Sequence, residues 1–129
     1  MKTVLQQSHV LTAQDMSISF NTNALSVEQS DVIGLQANYS GAPVGTLQIQ
    51  ASIDHAQDRF GNVTNPGNWV ALYVTVNGAL TNSMPIPADS SPILMDLFGL
   101  SVPYIRLAYT ATSGSGSMDV YMTYKRLGD

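Results

Sequence analysis

The chain has 129 residues, of which 44% are hydrophobic and only 11% are charged. Ordinary globular domains carry about 25% charged residues, so this surface is unusually neutral, and Ser, Thr, Asn and Gln supply its polarity. The formal net charge is −4, and the five basic residues form no stripe that could neutralise a phosphate backbone. We therefore expect no direct binding to DNA or RNA.

Cysteine and membrane signals are absent from the sequence. Without cysteine, a disulfide framework, a thiolate zinc site and a cysteine nucleophile are excluded. Residues 1–11 lack a long apolar stretch, so we expect no secretory signal peptide. The sequence contains no run of about 18 apolar residues, so no transmembrane helix is predicted. We also expect no membrane partner. The length is typical of one domain, so we predict a single domain over residues 1–129.

Hydrophobic and polar residues alternate along much of the chain, which is the period of a β-strand and not of a helix. Among the residues predicted to face inward are Ile18, Leu35, Ile53, Val70 and Leu107. Residues 93–100 are compatible with either a helical turn or a short strand. In chain order, the alternating segments are 15–20, 32–39, 46–54, 69–76, 104–111 and 117–126.

Turn signals separate these segments. Residues 40–43 (Ser-Gly-Ala-Pro) and 113–116 (Ser-Gly-Ser-Gly) predict tight connections of the hairpin kind, and the Asn-Gly pair at 77–78 predicts a type I′ hairpin. Residues 55–68 and 83–92 are predicted to be long loops, and loops of this length usually have a function or a partner. Short strands with frequent turns predict an all-β, antiparallel sandwich.

No pattern in the sequence indicates a catalytic centre. The two histidines, His9 and His55, lack the spacing of a metal site, and there is no GxSxG nucleophile elbow. The Gly114-Ser115-Gly116 run joins two predicted strands, whereas a nucleophile elbow joins a strand to a helix. We therefore expect neither enzymatic activity nor a cofactor.

Four oxygen-bearing side chains, Asp54, Asp58, Asn62 and Asn65, cluster at and within the 55–68 loop. Carboxylate and amide oxygens are the ligands that Ca²⁺ prefers. Their spacing does not match an EF-hand loop, and Asp and Asn commonly stabilise turns by bonding to nearby backbone. We favour this turn-stabilising role over a metal site.

Four aromatic residues, Trp69, Tyr73, Tyr104 and Tyr121, have the outward parity of their predicted strands. Aromatic rings on one face can stack on sugars or form the centre of a protein interface. They are a candidate outer aromatic patch. The alternative is that a loop or the N-terminal segment covers them.

The N-terminal residues 1–12 mix polar residues with the hydrophobic Val4, Leu5, Val10 and Leu11. This segment is compatible with an edge strand, or with an arm that pairs with a neighbouring subunit by strand addition. We treat its four hydrophobic residues as candidate contacts with a neighbouring protein or subunit.

The two long loops supply the remaining candidate contacts. Arg59 and Phe60 lie in the first loop. Pro85, Ile86 and Pro87 lie in the second, where proline fixes the backbone and predicts a stiff apolar tip that loses little entropy on docking.

Strand and turn motifs follow one another in an order that resembles small structural proteins of tailed bacteriophages, in particular capsid decoration or cementing proteins. The resemblance covers roughly residues 31–126, and none of its motifs is an active-site signature. The motifs are GTLQIQASID at 45–54, NW at 68–69, YIRLAYT at 104–110, SGSG at 113–116 and VYMTYK at 120–125.

This resemblance implies a jelly-roll β-sandwich and a virion structural protein on the capsid exterior. Such proteins commonly form homotrimers that clamp neighbouring major capsid protein subunits. The same layout looks like the galactose-binding-like sandwich of some carbohydrate-binding modules. The alternative function is therefore a carbohydrate- or receptor-binding module of a phage tail or fibre.

Overall fold

The alternating segments form β-strands in a computed structural model, which describes residues 6–27, 32–76, 78–87, 92–98 and 102–125. These residues form strands, turns and bends but no helix, and hence none long and apolar enough to span a membrane.

Fourteen strands are found within the described residues, and the longest have nine or ten residues. In chain order they are β1 (Gln6–Asp15), β2 (Phe20–Asn21), β3 (Leu25–Ser26), β4 (Val32–Gly41), β5 (Val44–Ser52), β6 (Ala56–Gln57), β7 (Val63–Asn65), β8 (Val70–Ala71), β9 (Val74–Val76), β10 (Ala79–Thr81), β11 (Met84–Ile86), β12 (Ile93–Phe98), β13 (Tyr104–Ser113) and β14 (Gly116–Lys125).

The strands form two antiparallel six-stranded sheets. The first sheet has the order β1-β14-β4-β12-β9-β10. The second has the order β11-β5-β13-β2, with β3 also paired to β13 and β8 also paired to β5. Strands β6 and β7 pair separately as a small hairpin. The predicted all-β sandwich is confirmed.

The strand pairs are nested along the chain. Strand β1 pairs with β14, β2 and β3 pair with β13, β4 pairs with β12, and β5 pairs with β8 and β11. This is the pairing of one long antiparallel ribbon, folded in half and rolled into two sheets. It is the jelly-roll arrangement, in which the two sheets pack face to face.

The core lies between the two sheets and is formed by the inward-facing residues of the long strands. Leu35 and Leu107 are buried there, as predicted. Three inward predictions were wrong, because Ile18, Ile53 and Val70 are exposed. In each case the alternation of hydrophobic and polar residues continues past the end of a strand, or through a short strand at the edge of a sheet, where it no longer reports burial. Strand β1 ends before Ile18, β5 ends before Ile53, and Val70 lies in the two-residue strand β8.

The two turns at 40–43 and 113–116 connect strands of different sheets, so the prediction of hairpin connections was wrong. The two corners pack against each other, and the Ala42 N–H donates to the Ser115 carbonyl over 2.9 Å. Gly114 has φ +75°, and a Cβ there would overlap the Ala42 carbonyl oxygen. Turn composition reports that the chain reverses, but not whether its flanking strands pair.

The structure also shows the conformation around the predicted Asn-Gly turn and of residues 93–98. Strands β9 and β10 pair as a hairpin around Gly78, whose φ is +89°, while Asn77 lies outside the described residues. The segment that was compatible with a turn or a strand forms β12, which lies between β4 and β9 in the first sheet.

Candidate functional site

Residues 53–69 fold back over the outer face of the second sheet, and we call them the covering loop. The inward residues of β5 and β13 fill the core, so their alternate residues, including Gln50, Tyr104 and Arg106, face outward. Rings of the covering loop pack on these outward side chains, and His55 is buried there.

Trp69 and Arg106 form one contact between the covering loop and the sheet. The guanidinium carbon of Arg106 lies 4.4 Å from the centre of the Trp69 ring. Arg106 Nε also donates to Gln50 Oε1 on the neighbouring strand over 2.8 Å. Burial lowers the pKa of Arg106 by desolvation, but an arginine remains charged in proteins. The ring therefore rests on a cation that the sheet holds in place.

His55 has a structural role, because both of its ring nitrogens are engaged. Nδ1 lies 3.0 Å from the Pro66 carbonyl oxygen, and Nε2 lies 3.0 Å from the Gln57 amide nitrogen. Since a carbonyl can only accept, Nδ1 carries the hydrogen in this arrangement and Nε2 accepts from Gln57. The ring also packs edge-on against Tyr104, with 4.8 Å between centroids. Both nitrogens are therefore engaged in hydrogen bonds within the covering loop.

Asp54 ties the two ends of the covering loop together. It accepts hydrogen bonds of 2.8 Å from the Asn68 backbone N–H, the Ser52 hydroxyl and the Asn68 side-chain amide. These bonds, that of the Asn68 backbone most of all, lower the pKa of Asp54 to about 2. Asn65 donates from its side chain to the Asp54 carbonyl over 3.0 Å. These groups stabilise the turn, as favoured from the sequence.

Asp58 shapes the exposed tip of the covering loop between β6 and β7. Its carboxylate accepts from the backbone N–H groups of Phe60 and Asn62 over 2.8 and 2.9 Å. The Asn62 backbone bond is the main cause that lowers the pKa of Asp58. The tip presents Phe60, which is 75% exposed, with the Arg59 guanidinium 4.8 Å from its ring centre. Two sequence-predicted contact residues thus lie together on an ordered, solvent-facing turn.

The candidate Ca²⁺ ligands form hydrogen bonds with one another and with the backbone of the covering loop. Asn62 donates its side-chain amide to Asp58, and the Asn65 side-chain oxygen accepts from the Gly67 N–H. Among the described residues, no group of three or more His, Cys, Asp or Glu side chains is arranged to hold a metal ion.

An apolar groove of about 320 Å³ opens where the covering loop leaves and rejoins the second sheet. Its hydrophobic walls are Ile53, Val70, Leu72 and Val102. Ile53 is 74% exposed and Val70 is 66% exposed. The alternation of the sequence does not reveal this groove, because it predicts both residues to face inward. The antiparallel pairing of β8 with the end of β5 brings them together.

The four predicted aromatic residues do not form one patch. Trp69 and Tyr104 lie in the contact between the covering loop and the second sheet. Tyr121 lies on β14 in the first sheet and stacks on His9, with ring centres 4.4 Å apart. Tyr73 is exposed between β8 and β9. The prediction of one outer aromatic patch was therefore wrong. Alternation shows on which side of its own strand a residue lies, but not which strands belong to the same sheet.

Val10 and Leu11 lie in β1, which pairs along its length with β14 and forms an edge of the first sheet. Both side chains are partly buried and pack against the core. Residues 6–12 therefore form an edge strand, the first of the two predicted alternatives. Strand addition to a neighbouring subunit stays a prediction. Val4 and Leu5 lie outside the described residues.

The Pro85–Ile86–Pro87 segment was predicted to be a contact tip. Pro85 and Ile86 belong to β11, which pairs with β5, and Ile86 is buried in the core. The prediction was therefore wrong for Ile86. Pro85 and Pro87 are exposed, and residues 88–91 lie outside the described residues.

No protein-family model matches the chain, and no curated protein matches it in sequence. A crystal structure of SPBc2 prophage-derived protein YomS matches with a TM-score of 0.70, covering 97% of this chain and 96% of that one. The two sequences are 10% identical. The similarity is therefore one of fold, and it extends over almost the whole of both chains.

Proposed function

We propose that the protein is a structural component of a bacteriophage particle, a capsid decoration protein that binds the outer surface of the shell and reinforces it. The apolar groove beside Ile53 and Val70 carries this proposal. Hydrophobic surface that is clustered and open to water is typical of protein–protein contacts. An apolar side chain of a neighbouring protein would fill the groove and displace water from it.

The rest of the covering loop supports a protein partner. Its tip offers Arg59 and Phe60, residue types that are enriched in interfaces. Hydrogen bonds to Asp58 hold the tip in one conformation, so little entropy is lost when it docks. The prophage origin of YomS, whose fold this chain shares, supports the phage setting. We propose the major capsid protein as the partner.

We further propose that three copies act together as a homotrimer on the capsid exterior. A contact confined to one groove of about 320 Å³ would bury less surface area than a stable protein–protein interface needs. Closed cyclic symmetry presents the same patch three times, and linked contacts raise the overall affinity without any new contact type. A surface with only 11% charged residues also makes these contacts less sensitive to salt.

Particles that lack this protein, mixed with the purified protein, provide the test. Val70→Asp places a charge in the groove and is expected to weaken particle binding at least about tenfold, because it replaces apolar burial with an unpaired charge. Leu80→Asp is the matched control, since Leu80 is 71% exposed on β10 of the other sheet. It should bind as the wild-type protein does.

Heat resistance of the particles tests reinforcement separately from binding. Decorated particles are expected to release their DNA at a higher temperature than undecorated ones, and Val70→Asp protein should not restore this difference. If Val70→Asp and Leu80→Asp bind the particles equally well, the groove is not part of the interface. Bound protein without any gain in heat resistance would refute the reinforcing role.

A further inference from the structure

The outer face of the first sheet carries a second groove, of about 300 Å³, which is open to solvent. It spans four adjacent strands, β1, β14, β4 and β12. Unlike the outer face of the second sheet, where the covering loop buries His55, this face keeps side chains such as Leu94 and Asp96 exposed. The lining residues are Gln7, Gly34, Gln36, Leu94, Tyr121 and Thr123.

Strand register explains why these residues meet. Gly34 pairs with Thr123 in the antiparallel ladder between β4 and β14. A Cβ at Gly34 would stand 3.0 Å from the Thr123 hydroxyl oxygen, so the glycine leaves open the floor of the groove. One row along, Tyr121 pairs with Gln36, and Gln36 pairs with Leu94. An aromatic ring and an aliphatic side chain thus flank a central amide.

Two further contacts hold the groove in shape. The Tyr121 ring stacks on His9 of the edge strand, with 4.4 Å between ring centres and 15° between planes. Gln36 donates from its side-chain amide to the Asn38 side-chain oxygen over 3.1 Å, which orients the amide. Tyr121 and Gln36 are therefore positioned before any ligand binds, and this lowers the entropy cost of binding.

The lining combines polar groups with apolar surface and carries no ionised side chain. Two amides and a hydroxyl supply neutral donors and acceptors, and Tyr121 adds an aromatic surface with a polar end. Anionic ligands find no cation among the lining residues, and the Asp96 carboxylate lies 3.9 Å from the Cβ position of Gly34. The chemistry that fits is a neutral, hydroxyl-rich ring with one apolar face.

We propose that this groove binds a neutral carbohydrate. Its volume lies at the lower end of the roughly 300–1,000 Å³ typical of small-molecule sites, so it accommodates a mono- or disaccharide portion of a longer glycan. The site is distinct from the apolar groove of the second sheet and from the predicted four-aromatic patch, of which it retains Tyr121. It also stands independently of the proposed attachment to capsids.

An array of neutral oligosaccharides, followed by NMR titration of the full chain with maltotetraose, cellotetraose and any array ligand, tests this proposal. Gln36→Ala and Tyr121→Ala are expected to weaken binding about tenfold. Gln48→Ala is the matched control. Gln48 is also half-buried, and it forms the same kind of side-chain hydrogen bond, from Gln50 over 3.2 Å, on the second sheet.

Two results would overturn the proposal. The first is the absence of binding to every array glycan and to both tetrasaccharides at millimolar concentration. The second is binding that Gln36→Ala leaves unchanged, or that Gln48→Ala weakens equally. Circular dichroism establishes that each variant is folded. If Tyr121→Ala is unfolded, Gln36→Ala and the amide shifts of Gly34 and Thr123 in the wild-type titration decide the outcome.

Discussion

Trp69→Ala tests whether the covering loop is held on the second sheet by one aromatic ring. The ring lies on the Arg106 guanidinium at 4.4 Å, and Trp69 Nε1 donates to the Pro66 carbonyl over 3.0 Å. A partly exposed cation–π pair contributes about 0.5–1 kcal/mol, and a neutral hydrogen bond contributes about 1 kcal/mol. With the apolar area of a half-buried ring added, the free energy of unfolding should fall by about 2–3 kcal/mol.

Urea denaturation followed by circular dichroism measures this change. Trp69→Phe keeps an aromatic face above Arg106 but loses the donor, so it should lose only about 1 kcal/mol. Trp69 is the single tryptophan of the chain, so its fluorescence reports directly on the covering loop in the wild-type protein. If both variants unfold at the same urea concentration as the wild type, the ring does not hold the loop and the reasoning fails.

Three further changes probe the fold. The Tyr109 hydroxyl is buried without a hydrogen-bond partner in the described residues, and burial raises its pKa. Tyr109→Phe should therefore raise stability by about 1 kcal/mol in urea denaturation, and a lower stability would show that the hydroxyl is satisfied. Because the pKa of Asp54 is lowered to about 2 from 3.8, its contribution is present above about pH 4 and is lost as the pH falls through about 2. Asp54→Asn should flatten the acid limb of a plot of melting temperature against pH, and an unchanged limb would contradict this. Gly114→Ala should destabilise the protein by about 2–3 kcal/mol in thermal unfolding. Gly78→Ala, with a similar positive φ but open space around its Cβ position, should cost only about 1 kcal/mol, and equal losses would exclude the clash between corners.

The long strands could be predicted from the sequence because each has one face in the core. In β4, β5, β13 and β14 the two-residue period reports burial directly. The errors at Ile18 and Ile53 lie just beyond strand ends, where the period continues but the sheet does not. No break in the alternation marks the end of the hydrogen-bonded ladder. Local turns do mark it: the Asp15 carboxylate accepts from the Ser17 N–H, and the Ser52 hydroxyl accepts from the His55 N–H.

The two grooves could not be predicted in the same way, because each is assembled from residues of different strands. Arg59 and Phe60 are neighbours in the chain, so their joint position at a loop tip follows from one segment. Gly34 and Thr123 meet only because β4 pairs with β14. Alternation gives the parity of Tyr121 correctly, but not the sheet to which it belongs.

The jelly-roll architecture separates the two proposed surfaces. The outer faces of a two-layer sandwich point in opposite directions, and the covering loop belongs to the second sheet alone. If the protein is attached to the particle through the apolar groove beside Val70, the face around Gln36 therefore points away from the attachment surface. No described residue lines both grooves. Val70→Asp should consequently weaken particle binding without altering glycan binding, and Gln36→Ala should have the opposite pattern. A variant that impairs both would show that one surface depends on the other.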